Sequence, residues 1–363
     1  MKVLLIDDKA NNGWKQLIEK LFPILGMKIE VAIDYDAALI NILNKYDLIF
    51  LDVRLNTEDQ ENFKVKEFSG FKILKKIKSD FLNVNFATPI FLLTATNKIW
   101  NIDAFKNYGV DAYYIKEHPD NVFDKEVSQQ NYKNFRVEFN LLLEIRTKRD
   151  EIWSISKEII DVVKSHKYFK NGTENINIRQ RIIDKIKLGY YYRFINPSSF
   201  EKDILKADNE AIAFLIYFSI LEELSKAYSE KKTWNLNGDF SGNWKFRNGE
   251  YFIQKDKNEI IINPYWEEGR YVEKKFESFN FNYTTGQINL SEQIYALIYH
   301  YKIEKKYLKK FRDLNEFRNK LSYTHSSIHS IFNTPLIDSE LKADFSTNIK
   351  NILLLILEIL KQS

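Results

Sequence analysis

The 363-residue sequence predicts two architectures in series: an N-terminal α/β domain built on a doubly wound parallel sheet, then an α-helical domain carrying a β-rich insertion. Three observations predict this. Up to about residue 125, short continuous apolar runs alternate with amphipathic stretches, the pattern of strands covered on both faces by crossover helices. Beyond residue 150, helix-forming stretches with apolar periodicity dominate. Residues 233–286 interrupt those helices with five of the eleven glycines and with strand-like runs rich in aromatic residues.

In chain order, the run VLLI leads into an amphipathic stretch from Gly13 to Leu25, and IEVAI leads into one from Asp36 to Leu43. DLIFLDV, PIFLLTA and DAYYI are the remaining buried strands. In such sheets the chemistry gathers at the carboxyl ends of the strands. The residues that close the runs there are Asp7 and Asp8, Asp52, Thr94 and Lys116. Three carboxylates brought together repel one another and invite a hard divalent cation with oxygen ligands, Mg2+ being the usual choice. A hydroxyl and an ammonium facing that cluster suit a phosphoryl group.

These residues carry a resemblance. IDD, DLIFLDVRL, FLLTAT and YYIKE, with 44 residues from Asp8 to Asp52 and 22 from Thr94 to Lys116, resemble the receiver domain of response regulators over about a third of the chain. The resemblance implies that Asp52 accepts a phosphoryl group from a sensor histidine kinase or another phosphodonor. It implies that Asp7, Asp8, Asp52 and the carbonyl of Arg54 hold Mg2+, that Thr94 and Lys116 bind the phosphoryl oxygens, and that Tyr113 is the switch aromatic. Two departures stand out. The polar insertion NTEDQENFKVKEFS, Asn56 to Ser69, lengthens the segment before Gly70 by roughly ten residues beside the expected phosphorylation site. Glu117 replaces the proline that commonly follows the lysine, which alters the loop but removes no ligand.

The expected domains are 1–125 for the receiver, 126–150 for a helical connector and 151–363 for the effector. From Asp120 to Asn171 there is neither Gly nor Pro, so the receiver's last helix is expected to run on into the next domain. Two helices separated by a polar turn near Lys148 to Glu151 are the alternative. Further helices are expected at Ile178 to Gly189, Asp208 to Lys231, Ser291 to Tyr323 and Ser339 to Gln362. Within the insertion NWKFRNGEYFIQ reads as a hairpin turning at Asn248-Gly249, followed by strands in EIIINPYW and RYVEKKFESFNFNY. Its aromatic residues suit packing within the insertion better than stacking on bases. The basic run Lys302 to Arg312 reads as a solvated helix face, because Lys305, Lys309 and Arg312 project away from Arg318. No helix-turn-helix, zinc cluster, Walker loop or GxSxG elbow follows residue 120.

Within LNEFRNKLSYTHSS, Arg318 and His325 fall on the same helix face as Tyr307, Phe311, Leu314 and Leu321, about 10 Å apart along the axis. A charge and a titratable imidazole in an apolar seam are costly unless partnered. Arg318, Asn319 and His325 in this spacing, within a helical domain, resemble the catalytic motif of HEPN ribonucleases. The resemblance implies a homodimer in which both copies of the motif line one cleft. It implies cleavage of single-stranded RNA without metal, with His325 near the ribose 2′-hydroxyl, Arg318 at the phosphate and Asn319 orienting one of them. A role in toxin or phage-defence signalling follows by analogy with other HEPN enzymes. The alternative is a non-catalytic helical dimer that binds protein or RNA, in which Arg318 pairs with a carboxylate such as Glu222 or Glu223.

Composition sets the outer bounds. A net charge of +4 identifies no partner, and the lack of cysteine excludes disulfides, thiolate metal sites and cysteine nucleophiles. The opening MKVLLIDDKANN is too short an apolar run, too soon interrupted by acids, for a signal or membrane anchor. A cytoplasmic location without a membrane partner is the expectation.

Overall fold

The computed structural model describes residues 1–55, 59, 64–94, 99–116, 125–195, 203–231, 244–246, 249–250, 262–267, 270–275, 294, 297–298, 303, 305–321 and 345–362. The chain divides into two compact units, one of residues 1–154 with 194–200 and the other of 155–193 with 201–363.

The first unit is the predicted doubly wound sheet. Strands β1 (Lys2–Ile6), β2 (Lys28–Ala32), β3 (Leu48–Asp52), β4 (Ile90–Thr94) and β5 (Ala112–Ile115) are all parallel and stand in the order β2-β1-β3-β4-β5. Every residue of β3 and β4 is buried, which is why both read as unbroken apolar runs. Helices α2 (Tyr35–Asn41), α3 (Ser69–Lys78) and α4 (Ile99–Asn107) follow β2, β3 and β4. Their Ala38, Phe71, Leu74, Ile77 and Phe105 close one core with Leu4, Ile6, Ile49, Leu51, Ile90 and Leu92. Asp34 caps α2 by accepting from the Ala37 amide at 2.8 Å.

On the other face α1 (Trp14–Leu21) and α5 (Lys125–Ser165) meet Val3, Leu5, Phe50, Phe91 and Leu93. An aromatic cluster dominates there: the Phe135 ring lies 4.9 Å from Phe91 and 6.0 Å from Phe50, both edge-on. Each such burial is worth about 1.5–3 kcal/mol, so this face alone fixes the start of α5 firmly. Helix α5 is a single helix through Lys148 to Glu151, so the alternative of two helices with a turn there is not what forms. The stretch 126–150, expected to serve as a connector, supplies Phe135, Phe139 and Leu142 to the core of the first unit.

In the second unit the helices are the C-terminal part of α5, then α6 (Thr173–Phe194), α7 (Asp203–Tyr228), a helix over Lys305–Lys320 and a final helix over Phe345–Gln362. The final helix buries nine residues, from Phe345 to Leu360, and its Phe345 ring lies 6.5 Å from Phe214 of α7 and 5.0 Å from Phe317. Helix α7 ends at Tyr228, short of the expected Lys231, because Ser229–Lys231 forms strand β6 instead. Strand β6 pairs with β7 (Trp244–Phe246), which pairs with β8 (Gly249–Glu250), all antiparallel. Phe246 stands opposite Gly249, so Gly249 belongs to a strand and not to the turn expected at Asn248-Gly249. Strands β9 (Ile262–Glu267) and β10 (Arg270–Lys275) form a second antiparallel pair. Among the described residues no helix is long and apolar enough to cross a membrane.

Candidate functional site

The order 2-1-3-4-5 reverses direction between β1 and β3, and the crevice beyond the carboxyl ends of those two strands is where such sheets bind ligands. Asp7 follows β1 directly and is fully buried; Asp52 is the last residue of β3 and is 7% exposed. Asp8 is exposed beside them. Oxygens of Asp7, Asp8 and Asp52 lie within 4.8 Å of one another, and they are the one such acidic group among the described residues. Opposite oxygens around an octahedral Mg2+ are roughly 4.2 Å apart, so the donor set and its size fit a hard divalent cation.

Lys116, the residue after β5, reaches across the crevice. Its Nζ donates to Asp7 Oδ2 at 2.7 Å and also to Asp52 Oδ2. Two backbone contacts hold it there: its amide donates to the Thr94 carbonyl at 2.6 Å, and Asn131 of α5 donates to the Ile115 carbonyl at 3.0 Å. The Lys116 ammonium also sits 5.2 Å from the centre of the Trp14 ring. Thr94 ends β4 fully buried, opposite Ile115 in register.

Charge and burial set the protonation of this group. Burial pushes the Asp52 carboxyl up to about 6; Asp7 adds to the rise, and Lys116 opposes it. Burial alone would lower the Lys116 ammonium, but Asp52 and Asp7 outweigh it and hold it above the ordinary lysine value. Lys116 is therefore a charged ammonium held between the two acids.

Backbone contacts tie the end of β3 to the start of α3 beside Asp52. The Arg54 amide lies 3.5 Å from Asp52 Oδ1, and the Gly70 amide donates to the Val53 carbonyl at 3.2 Å. A Cβ on Gly70 would run into the carbonyl oxygens of both Asp52 and Val53, so glycine is required by space at the start of α3. Tyr113, expected as the switch aromatic, is 39% exposed on β5, and the Lys106 ammonium lies 5.0 Å from its ring.

Sequence reasoning brought together Asp7, Asp8, Asp52, Thr94 and Lys116, and the sheet gathers all five at one edge. It missed Trp14 and Asn131. Trp14 directly follows a glycine at φ 117°, which starts α1 beside the crevice, but no spacing rule names the ring that will face a lysine a hundred residues on.

In the second unit Arg318 lies on the helix over Lys305–Lys320, whose Tyr307, Phe311 and Leu314 are buried as expected; Leu321, just past the helix end, is buried too. Its guanidinium donates to Glu222 Oε1 of α7 at 3.3 Å and lies 4.9 Å from the Phe218 ring. Asn319 is exposed. His325 lies outside the described residues.

The chain is similar to solved response regulators. A two-component response regulator from Clostridium difficile is 29% identical over 36% of this chain and 93% of its own, with a TM-score of 0.26. The receiver domain of Francisella response regulator 1452 is 26% identical over 37% of this chain and 98% of its own, with a TM-score of 0.25. Response regulator protein TrrA from Thermotoga maritima, in complex with Mg2+-BeF, is 22% identical over 35% of this chain and 96% of its own, with a TM-score of 0.24. No family model and no curated protein matches the chain.

Proposed function

We propose that this chain is a phosphorylation-controlled regulator in which Asp52 accepts a phosphoryl group from a sensor histidine kinase or another phosphodonor. The supporting observation is the convergence at one sheet edge of three acids with oxygens within 4.8 Å and a lysine ammonium bridging two of them. Asp7, Asp8, Asp52 and the Arg54 carbonyl would hold Mg2+, whose double charge offsets that of the phosphoryl oxygens. An Asp52 carboxylate oxygen attacks phosphorus while the bond to the donor's leaving group breaks, the leaving group keeping its electron pair. Asp52 is then an acyl phosphate. Lys116, already poised between Asp7 and Asp52, places a fixed positive charge beside the transferred group, and Thr94 at the end of β4 supplies a hydroxyl. A protonated carboxyl is a poor nucleophile, so the buried Asp52 reacts in its ionised form. The test is transfer of labelled phosphate from an acyl phosphate. Transfer that requires Mg2+ and stops in EDTA supports the reading, and transfer indifferent to EDTA contradicts it.

For the second unit, one observation bears on the two readings drawn from the sequence. The Arg318 guanidinium is engaged by Glu222 and by the Phe218 ring of its own chain. This favours a helical interaction module, with Arg318 as an ion-pair partner, over a metal-independent HEPN-type endoribonuclease in which Arg318 meets RNA phosphate. Incubating the full chain with single-stranded RNA in EDTA decides between them. Intact RNA with both unphosphorylated and phosphorylated protein supports the module. Cleavage that leaves a 2′,3′-cyclic phosphate and is lost in His325→Ala restores the ribonuclease, together with the homodimer and the defence role tied to it.

A further inference from the structure

The insertion between β3 and α3 places a carboxylate deep in the loop that follows the phosphoacceptor. Asp59 is 3% exposed. Its Oδ2 accepts from the Leu55 amide at 3.0 Å and from the Ser69 hydroxyl, and its Oδ1 accepts from the Ser69 amide at 3.1 Å. The Leu55 amide also donates to Ser69 Oγ at 2.8 Å. A carboxylate this buried stays only where donors converge on it, and here they come from both ends of the loop.

The Leu55 N–H belongs to the same peptide group as the Arg54 carbonyl. A trans peptide is planar, with its N–H and C=O pointing in opposite directions. A Leu55 N–H anchored on Asp59 and Ser69 therefore fixes the direction of the Arg54 carbonyl. At the other end, the Ser69 amide held by Asp59 sets the first turn of α3, where Gly70 abuts the Asp52 and Val53 carbonyls.

We propose that Asp59 is a positioning residue of the cation site: through the Leu55 amide it aims the Arg54 carbonyl as an oxygen ligand for the divalent cation held by Asp7, Asp8 and Asp52. Through Asp59 the insertion thus supplies part of the site's outer support. This rests on the reading of the acid cluster as a Mg2+ site serving phosphorylation of Asp52. Loss of a group that orients a metal ligand typically weakens metal affinity about 10–100-fold.

The experiment is a calorimetric Mg2+ titration of the full chain without phosphodonor, on the wild type, Asp59→Ala and Asp59→Asn. It is paired with phosphorylation by an acyl phosphate across Mg2+ concentrations. Asp59→Ala should bind Mg2+ about tenfold more weakly, and the near-isosteric Asp59→Asn, which keeps one acceptor oxygen, should fall between. Phosphorylation should need correspondingly more Mg2+ while the KM for the phosphodonor stays unchanged, a split that simple loss of fold does not produce. Should Asp59→Ala not fold, Asp59→Asn carries the test alone. Wild-type Mg2+ affinity in the folded variants overturns the proposal, as does a wild type that binds no Mg2+. A wild type that binds Mg2+ with the predicted dependence on Asp59, yet is not phosphorylated, sustains the proposal and defeats the phosphoacceptor reading.

Discussion

At the scale of single residues, Asp52 is held in tension between burial and Lys116. Its carboxyl, raised to about 6 from an ordinary 3.8, is easier to protonate in the folded chain than in the unfolded one. The sign follows from linkage: stability conferred by a raised pKa is complete below about pH 4 and is lost as pH climbs through about 6. Asp52→Asn mimics the neutral form and should escape that loss. In EDTA at pH 7.5 the variant should therefore be more stable than the wild type by about 1–3 kcal/mol, the gap closing as the pH falls toward 4. Thermal unfolding across pH measures it, and a variant less stable than the wild type at pH 7.5 would show that the Lys116 pair outweighs burial. The residues gathered at the crevice were legible in the sequence because each closes an apolar run, and strand ends are where a doubly wound sheet presents its chemistry. Asp59 was not. One acid among several in a polar insertion looks solvated, and only the folded loop brings Leu55 and Ser69 to it.

Elements carry the next level of constraint. Helix α3 starts against the end of β3, and Gly70→Ala would push a methyl group into two backbone oxygens. Because backbone and not a flexible side chain must give way, the variant should lose about 1–3 kcal/mol and phosphorylate Asp52 at least several-fold more slowly. Unfolding together with phosphate incorporation tests this, and unchanged values in both would mean that the loop yields freely. In the second unit the contact between α7 and the Lys305–Lys320 helix includes the Arg318–Glu222 pair, about a quarter exposed on each side chain. A double-mutant cycle of Arg318→Met and Glu222→Gln should give a coupling of about 0.5–1 kcal/mol, as expected for a partly solvated pair. A coupling of zero would leave Arg318 available for another partner. The strands and long helices were readable because their periods are unambiguous. Element ends were less so: the expected helix over Asp208 to Lys231 gave up its last residues to β6, since pairing with β7 satisfies backbone groups that the helix end would leave open. Helix α5, lacking Gly and Pro, offered no stop signal and runs unbroken through Lys148 to Glu151, as expected.

For the whole molecule, a five-stranded parallel sheet with an acidic cluster at its carboxyl edge and a helical unit occupy one chain, and the proposed phosphorylation stands or falls on the first of them. The helical unit's architecture was legible in outline, and its chemistry was not, because Arg318 was visible in the sequence while the Glu222 that engages it lies 96 residues away. The most direct measurement is the intact mass of the full chain after incubation with an acyl phosphate and Mg2+, for the wild type and for Asp52→Asn. The account predicts that the wild type gains the mass of one phosphoryl group and that Asp52→Asn gains none. No gain in the wild type, or an equal gain in Asp52→Asn, would contradict it.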